Sequence, residues 1–259
     1  MSRADRVIGL ARSLFVYHAI PRRQRRMQRL YRQFASPGDV VFDVGAHVGN
    51  RARALAAIGC RVIALEPQPD FARMLRLLFG RNARIEVVEA AVTGAEGDAT
   101  LSVSERTPTV STTATAWQEA RAREPGFGGV EWNRRLRVRT VTADALIARY
   151  GRPAFIKIDV EGGEPAVLDG LTTPVAALSF EYLPGAIGEV RACVDRLALL
   201  AGRAPQAGLK ACSYEYNWSV GESYELASAS WLDADGLVVA LQALGPTARS
   251  GDVYARLRT

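Results

Sequence analysis

The chain has only two histidines, His18 and His47, in 259 residues, so a histidine base is limited to His47. Its three cysteines, Cys60, Cys193 and Cys212, are odd in number, far apart and without metal-ligand spacing. That argues against a disulfide framework or a cysteine metal site, and free thiols in a reducing, cytoplasmic setting are expected. No stretch approaches the roughly 20 apolar residues of a membrane span. Arg12 breaks the apolar start of the chain, and no small-residue cleavage site precedes Pro21-Arg22-Arg23, which argues against a secretory leader. The common phosphate loops are missing too. The glycines stand as Gly45-x-x-x-Gly49 rather than G-x-G-x-x-G, and Asn50-Arg51 follow where a P-loop needs Lys and Ser/Thr.

What is present is an ordinary globular composition, 48% hydrophobic and 23% charged. The net charge of +6 is unevenly spread: residues 1–35 hold nine arginines against the single acid Asp5, and the remainder is close to neutral. Residues 1–35 therefore read as a basic helical arm and residues 36–259 as one α/β domain. In the arm, Val7, Leu10, Ala11, Leu14, Phe15 and His18 fall at helical spacing. After Pro21, Arg22–Phe34 carries Met27, Leu30, Tyr31 and Phe34 on one face. Two readings stay open: helices packed on the domain or on a second copy as a homodimer, or an arm resting on anionic membrane lipid or nucleic acid. Because the body is near neutral, nucleic acid is not an expected partner.

The organising stretch is Val40-Val41-Phe42-Asp43-Val44-Gly45-Ala46-His47-Val48-Gly49. Continuous β-branched and aromatic residues interrupted only by Asp43 suit a strand buried on both faces, and the glycines let the following loop approach a ligand closely. Ser36-Pro37-Gly38-Asp39 is a turn that launches this strand. A helix over 52–58 ends at Gly59, and Arg61–Glu66 is the second strand. Ile85–Glu89 is the third, followed by Ala90-Ala91-Val92, small residues able to line an adenine slot. Residues 105–135, between short strands, form a lid or substrate loop or a structureless insertion. Strands at 153–159 and 175–182, a helix over 186–201, and a late pair of strands complete an α/β alternation in which one edge strand is antiparallel.

Four strands end in an acid: Asp43, Glu66, Asp159 and Glu181. In open α/β sheets ligands bind at that edge, and an acid after the second strand suits a ribose diol, because a carboxylate only accepts hydrogen bonds. The Phe42–Gly49 run, Leu65-Glu66-Pro67, Ile156-Lys157-Ile158-Asp159-Val160-Glu161-Gly162 with Glu164, and Ser179-Phe180-Glu181-Tyr182 together resemble the FkbM-type methyltransferases. The resemblance covers residues 37–182 and implies an α/β class I methyltransferase (Rossmann-like) fold, with a seven-stranded, mostly parallel sheet and an antiparallel last strand. It further implies an S-adenosylmethionine cofactor and O-methylation of a hydroxyl on a small molecule, sugar or glycolipid. On that basis Asp43, Gly45, His47, Gly49, Asn50, Glu66, Ala91 and Asp159 border the cofactor, with Glu66 on its ribose. His47 stands where the family often has Asn, which weakens any role for its side chain.

The acceptor side is left to Asp159, Glu161 and Glu181, with Asp159 the first choice as base or hydroxyl orienter. Lys157 reads as the partner of an acid. Asp159 and Glu181 could also share Mg²⁺, but nothing in the sequence supplies a third ligand, so no residue is assigned to metal. The alternatives are a nucleotide-dependent oxidoreductase on a similar sheet and a non-catalytic module that uses the arginine arm to associate with membrane or nucleic acid. The division of the acids predicts that Glu66→Ala weakens cofactor binding while Asp159→Ala lowers turnover with binding retained. Titration calorimetry beside a turnover assay checks this, and the reverse pattern contradicts it.

Overall fold

The computed structural model describes residues 21–104, 107, 110–122, 129–205 and 210–258. The expected helix over 7–18, parts of the 105–135 loop and Leu209 lie outside the described residues. The first element among the described residues is helix α1 (Pro21–Tyr31), which Pro21 opens, its missing N–H costing nothing there. Met27, Leu30 and Tyr31 are buried, each worth about 1.5–3 kcal/mol relative to exposure, whereas Arg25, Arg26, Arg29 and Arg32 face solvent. Just beyond it, Phe34 stacks on Phe155 and Tyr254, which ties the segment into the core of the domain.

The Ser36–Asp39 turn closes with Asp39 N–H donating to Ser36 O at 3.1 Å, and leads into β1 (Val40–Val44). The main sheet adds β2 (Arg61–Leu65), β3 (Ile85–Val88), β7 (Phe155–Ile158), β8 (Ala177–Tyr182), β9 (Ser213–Val220) and β10 (Gly251–Arg258). Their order is β3-β2-β1-β7-β8-β10-β9. The first five run parallel, and β10 is antiparallel to both neighbours. The antiparallel strand is therefore not at the edge, as the sequence led us to expect. Its Val253-Tyr254-Ala255 run is fully buried, and a strand apolar on both faces belongs inside a sheet. It enters between β8 and β9, leaving β9 as the edge.

Helices cover both faces. Met27, Leu30 and Tyr31 of α1, helix α2 (Asn50–Ala57) and Leu75 of helix α3 (Pro69–Phe79) pack with Val41, Val62 and Phe155 on one side. On the other lie α5 (Ala143–Tyr150), α6 (Glu164–Asp169), α7 (Ile187–Gly202) and α8 (Ala234–Ala243), packed with Phe42, Val44, Ile156 and Phe180. After α2, Gly59 takes φ +99, the left-handed turn that ends the helix. The expected excursion is a second sheet in which β6 (Arg134–Val141) lies between β4 (Ala91–Val92) and β5 (Gly97–Val103). Within the 105–135 insertion sits a short helix, α4 (Thr115–Arg121), whose Trp117 is buried.

Two glycines set close approaches at the carboxyl edge. A Cβ on Gly45, φ +77, would lie 1.9 Å from the Asp159 carbonyl oxygen, so the loops after β1 and β7 touch through bare backbone. A Cβ on Gly162, φ +85, would lie 2.1 Å from the Trp117 ring, which seats α4 on the loop after β7. Gly188, in α7, has nothing within 4 Å of its Cβ position. Gly45→Ala is expected to lower Tm by about 5–15 °C or to prevent folding, while Gly188→Ala raises it by about 1–4 °C. Thermal melts of both variants check this, and an unchanged Tm for Gly45→Ala contradicts it.

Candidate active site

An open cleft lies at the carboxyl edge of β1, β2 and β7 and beside the small sheet. The loop after β1 gives Gly45, Ala46 and His47, and α2 gives Asn50 and Arg51. The end of β2 adds Glu66, Pro67 and Gln68; Ala90, Ala91, Val92 and Leu101 form an apolar wall. Lys157, Asp159, Val160 and Glu161 follow from β7, and Ser111 and Thr113 come from the insertion. Its mixed polar and apolar lining suits a small organic ligand.

Glu66 is buried at the end of β2 and folds the β1 loop around itself. Its Oε2 accepts the His47 N–H at 2.9 Å and its Oε1 the Gln68 N–H at 2.8 Å. His47 reaches that position through a left-handed backbone, φ 49, sparsely populated for a side chain with a Cβ. Burial pushes the Glu66 carboxyl up to about 7 despite these two bonds. Burial also holds His47 down at about 4, so its ring, 4.4 Å from that of Phe71, is neutral near pH 7.

Lys157 lies opposite Asp43 in the β1/β7 register and is almost fully buried. Its Nζ is 3.0 Å from Asp159 Oδ2 and 3.7 Å from Asp43 Oδ1, and it donates to Gly45 O at 3.1 Å. For Asp159, burial works to raise the carboxyl, but Lys157 and then Arg51 outweigh it and hold the group below the ordinary aspartate range. Asp159 is thus a firm anion and a weak base. Asp43 is raised by burial, with Lys157 and Arg51 opposing.

Glu161 has the opposite character. It sits at φ 55, its carbonyl accepts the Thr112 hydroxyl of the insertion at 2.7 Å, and its side chain faces the cleft. Burial, with Asp159 and Glu164 as neighbouring negative charges, drives its carboxyl well above the usual range. Burial and then Glu161 and Asp159 do the same to Glu181. Oxygens of Asp159, Glu161 and Glu181 lie within 4.8 Å of one another, so Glu161 supplies the third oxygen donor that the sequence left unidentified. Such a hard oxygen set is compatible with a divalent cation and equally with carboxyls that share protons. Glu164 opens α6 and accepts the Val160 N–H at 2.9 Å, fixing the turn between β7 and α6.

Of the residues singled out from the sequence, Gly45, His47, Asn50, Glu66, Ala91, Asp159 and Glu161 line the cleft together. Asp43 lies behind the wall against Lys157, and Gly49 caps α2 against Leu75 and Phe79. Glu181 joins the acid cluster without lining the cleft. Sequence reasoning missed Arg51, whose guanidinium is 3.5 Å from Asp252 Oδ2, a residue 201 positions away. It also missed Ser111 and Thr113; only the polar character of the insertion hinted at them.

The family described as "Methyltransferase FkbM domain" matches residues 43–196. The hexuronic acid methyltransferase AglP of Haloferax volcanii is 26% identical over 170 residues, which are 64% of this chain and 62% of that protein. The chain thus spans under two thirds of the length of that relative. An O-methyltransferase from Bacillus cereus, solved in complex with SAH, superposes at TM-score 0.45 and 14% identity, covering 100% of this chain and 92% of that one. The O-methyltransferase TomG from Streptomyces achromogenes gives 0.40 and 11%, covering 97% and 90%.

Burial raises Glu164 from 4.5 to about 7, and a raised carboxyl keeps its proton in the folded protein after the unfolded chain has lost it. Its contribution to stability is complete below about pH 4.5 and is lost as pH rises through about 7. Glu164→Gln, which cannot ionise, is therefore expected to gain on the parent chain between pH 5 and 8 in Tm measured against pH. A difference independent of pH contradicts the assignment.

Proposed function

The chain belongs to the FkbM methyltransferase family, and from that premise we propose that it binds S-adenosylmethionine and methylates a hydroxyl of a sugar or a sugar-bearing small molecule. The observation that carries the reading is Glu66, a buried carboxylate on the cleft wall at the end of β2. Each of its oxygens spends one lone pair on a backbone N–H and keeps another for a ribose hydroxyl. The residues fit the cofactor in other respects. Gly45 presents backbone without a side chain, Ala90, Ala91 and Val92 offer an apolar slot for an adenine, and Asp159, held ionised beside Lys157, supplies negative charge that favours a sulfonium.

The cofactor supplies an activated methyl group; the protein has to position an acceptor oxygen and remove its proton. We assign proton removal to the ionised form of Glu161, which lines the cleft and, because its carboxyl is raised, is a stronger base than Asp159 once it has lost its own proton. Asp159, kept ionised by Lys157, accepts a hydrogen bond from the hydroxyl and orients it. His47 is neutral and committed to Phe71, so no proton transfer is given to it. Ser111 and Thr113 contribute hydroxyls on the side formed by the insertion, as a polyhydroxylated acceptor requires. The similarity to a hexuronic acid methyltransferase supports a sugar acceptor.

Methyl-labelled S-adenosylmethionine, offered with hexuronic acid glycosides and neutral sugars, is expected to deliver label to a sugar hydroxyl. Glu161→Gln is expected to lower kcat by about 10²–10⁴-fold with cofactor affinity retained. Excess EDTA is expected to leave turnover unchanged. A loss restored by Mg²⁺ would give Asp159, Glu161 and Glu181 to a cation, and full activity of Glu161→Gln would remove Glu161 as the base.

A further inference from the structure

The two helical layers of the fold carry opposite charge. In α1, α2 and α3 nine arginines stand against the single acid Asp70, whereas α5, α6, α7 and α8 hold three arginines against six acids. We infer that the outer face of the α1, α2 and α3 layer docks on an anionic lipid bilayer, with its arginines on the headgroups and Leu77 and Leu78 inserted toward the acyl chains.

The side chains that turn away from the sheet are arranged for such a surface. Arg25, Arg29 and Arg32 recur at i, i+4 and i+7, opposite the buried Met27, Leu30 and Tyr31, and form one exposed stripe along α1 and the turn that follows it. None of the three pairs with an acid among the described residues, and Arg26 reaches Glu225 only at 3.9 Å. In α3, Arg73 and Arg76 are exposed, and so is Arg81 just after it. Between them Leu77 is 82% exposed and Leu78 49%. The other exposed large hydrophobics among the described residues, Leu199, Val239 and Leu244, stand singly in or beside α7 and α8. A single exposed leucine is ordinary, but an adjacent pair flanked by arginines can enter the acyl boundary while the cations stay at headgroup level. None of these exposed hydrophobics is aromatic, so nucleic-acid bases find no stacking platform there and a bilayer is the better match. The stripe starts beside the cleft, since Gln24 of α1 donates to the carbonyl of the cleft residue Asn50 at 3.2 Å. Neither the three stripe arginines nor the two leucines line the cleft itself.

The test is cosedimentation of the whole chain with vesicles of phosphatidylcholine, alone or mixed with an equal part of phosphatidylglycerol. The chain is expected to bind the mixed vesicles at low salt, to stay off the neutral ones, and to lose most of its binding at about 1 M salt, where charges are screened beyond about 3 Å. Replacing the stripe by Arg25→Gln, Arg29→Gln and Arg32→Gln together should weaken partition by about 10- to 100-fold, from about fivefold or less for each arginine near the surface. Leu77→Ser combined with Leu78→Ser should weaken it by about 3- to 30-fold with the salt dependence kept. Every side chain changed is exposed, so both variants are expected to melt like the parent chain. Equal binding to neutral vesicles, no binding to mixed ones, or either variant binding like the parent overturns the proposal. Tighter retention on single-stranded RNA than on the mixed vesicles, lost with the arginines and kept without the leucines, overturns it by giving the face to nucleic acid.

Discussion

A single buried ammonium governs the carboxyl edge of this sheet. Lys157 stands at the end of β7, opposite Asp43, and holds Asp43, Asp159 and the Gly45 carbonyl around its Nζ. Burying a charge is costly unless it is paired and hydrogen-bonded, and all three neighbours serve that end. The approach of the β1 and β7 loops follows from it, and so does the need for a glycine at position 45, where a Cβ would strike the Asp159 carbonyl. Without the ammonium, two aspartates would face one another in a region of low polarity.

The same ammonium separates the acids by chemistry. Asp159 lies beside it and stays ionised, whereas Glu161 and Glu181, close to Asp159 and further from the cation, are pushed toward their protonated forms. Two kinds of carboxyl thus come from one cluster, a fixed anion and groups able to take a proton, as acid–base chemistry at neutral pH requires. The insertion completes the arrangement. Thr112 bonds to the Glu161 carbonyl and Trp117 packs on Gly162, so the strained turn carrying Glu161 is held from above.

Much of this was readable in the residues, for identifiable reasons. The β1 run is apolar on both faces and flanked by turn residues, and its observed bounds, Val40–Val44, follow from that pattern. Glu66 was legible because it lies one residue past its strand, where a carboxylate has only the ligand edge to face. Asp43 lies one residue inside its strand rather than at its end. Strand parity puts it on the same face as Val41 and Lys157, where its carboxylate is buried beside the Lys157 ammonium behind the cleft wall. The position of β10 was hidden for a different cause: local pattern tells that a strand exists, but its neighbours are set by which buried edge is still unpaired. Arg51 and Asp252 meet across 201 residues, a pairing no spacing rule contains. Glu161 was noticed for its charge, yet its left-handed backbone, which brings it between Asp159 and Glu181, has no signature in a non-glycine residue.

The central claim is that Lys157 divides these acids into a fixed anion and proton acceptors. Its most direct test is carboxyl ¹³C NMR of the chain labelled at Asp and Glu side chains, titrated with pH and assigned with single Asn and Gln variants. The account predicts that Asp159 titrates below the ordinary aspartate range while Glu161 and Glu181 titrate above the ordinary glutamate range. Asp159 taking up its proton together with the two glutamates, or Glu161 titrating like a free side chain in water, would contradict it.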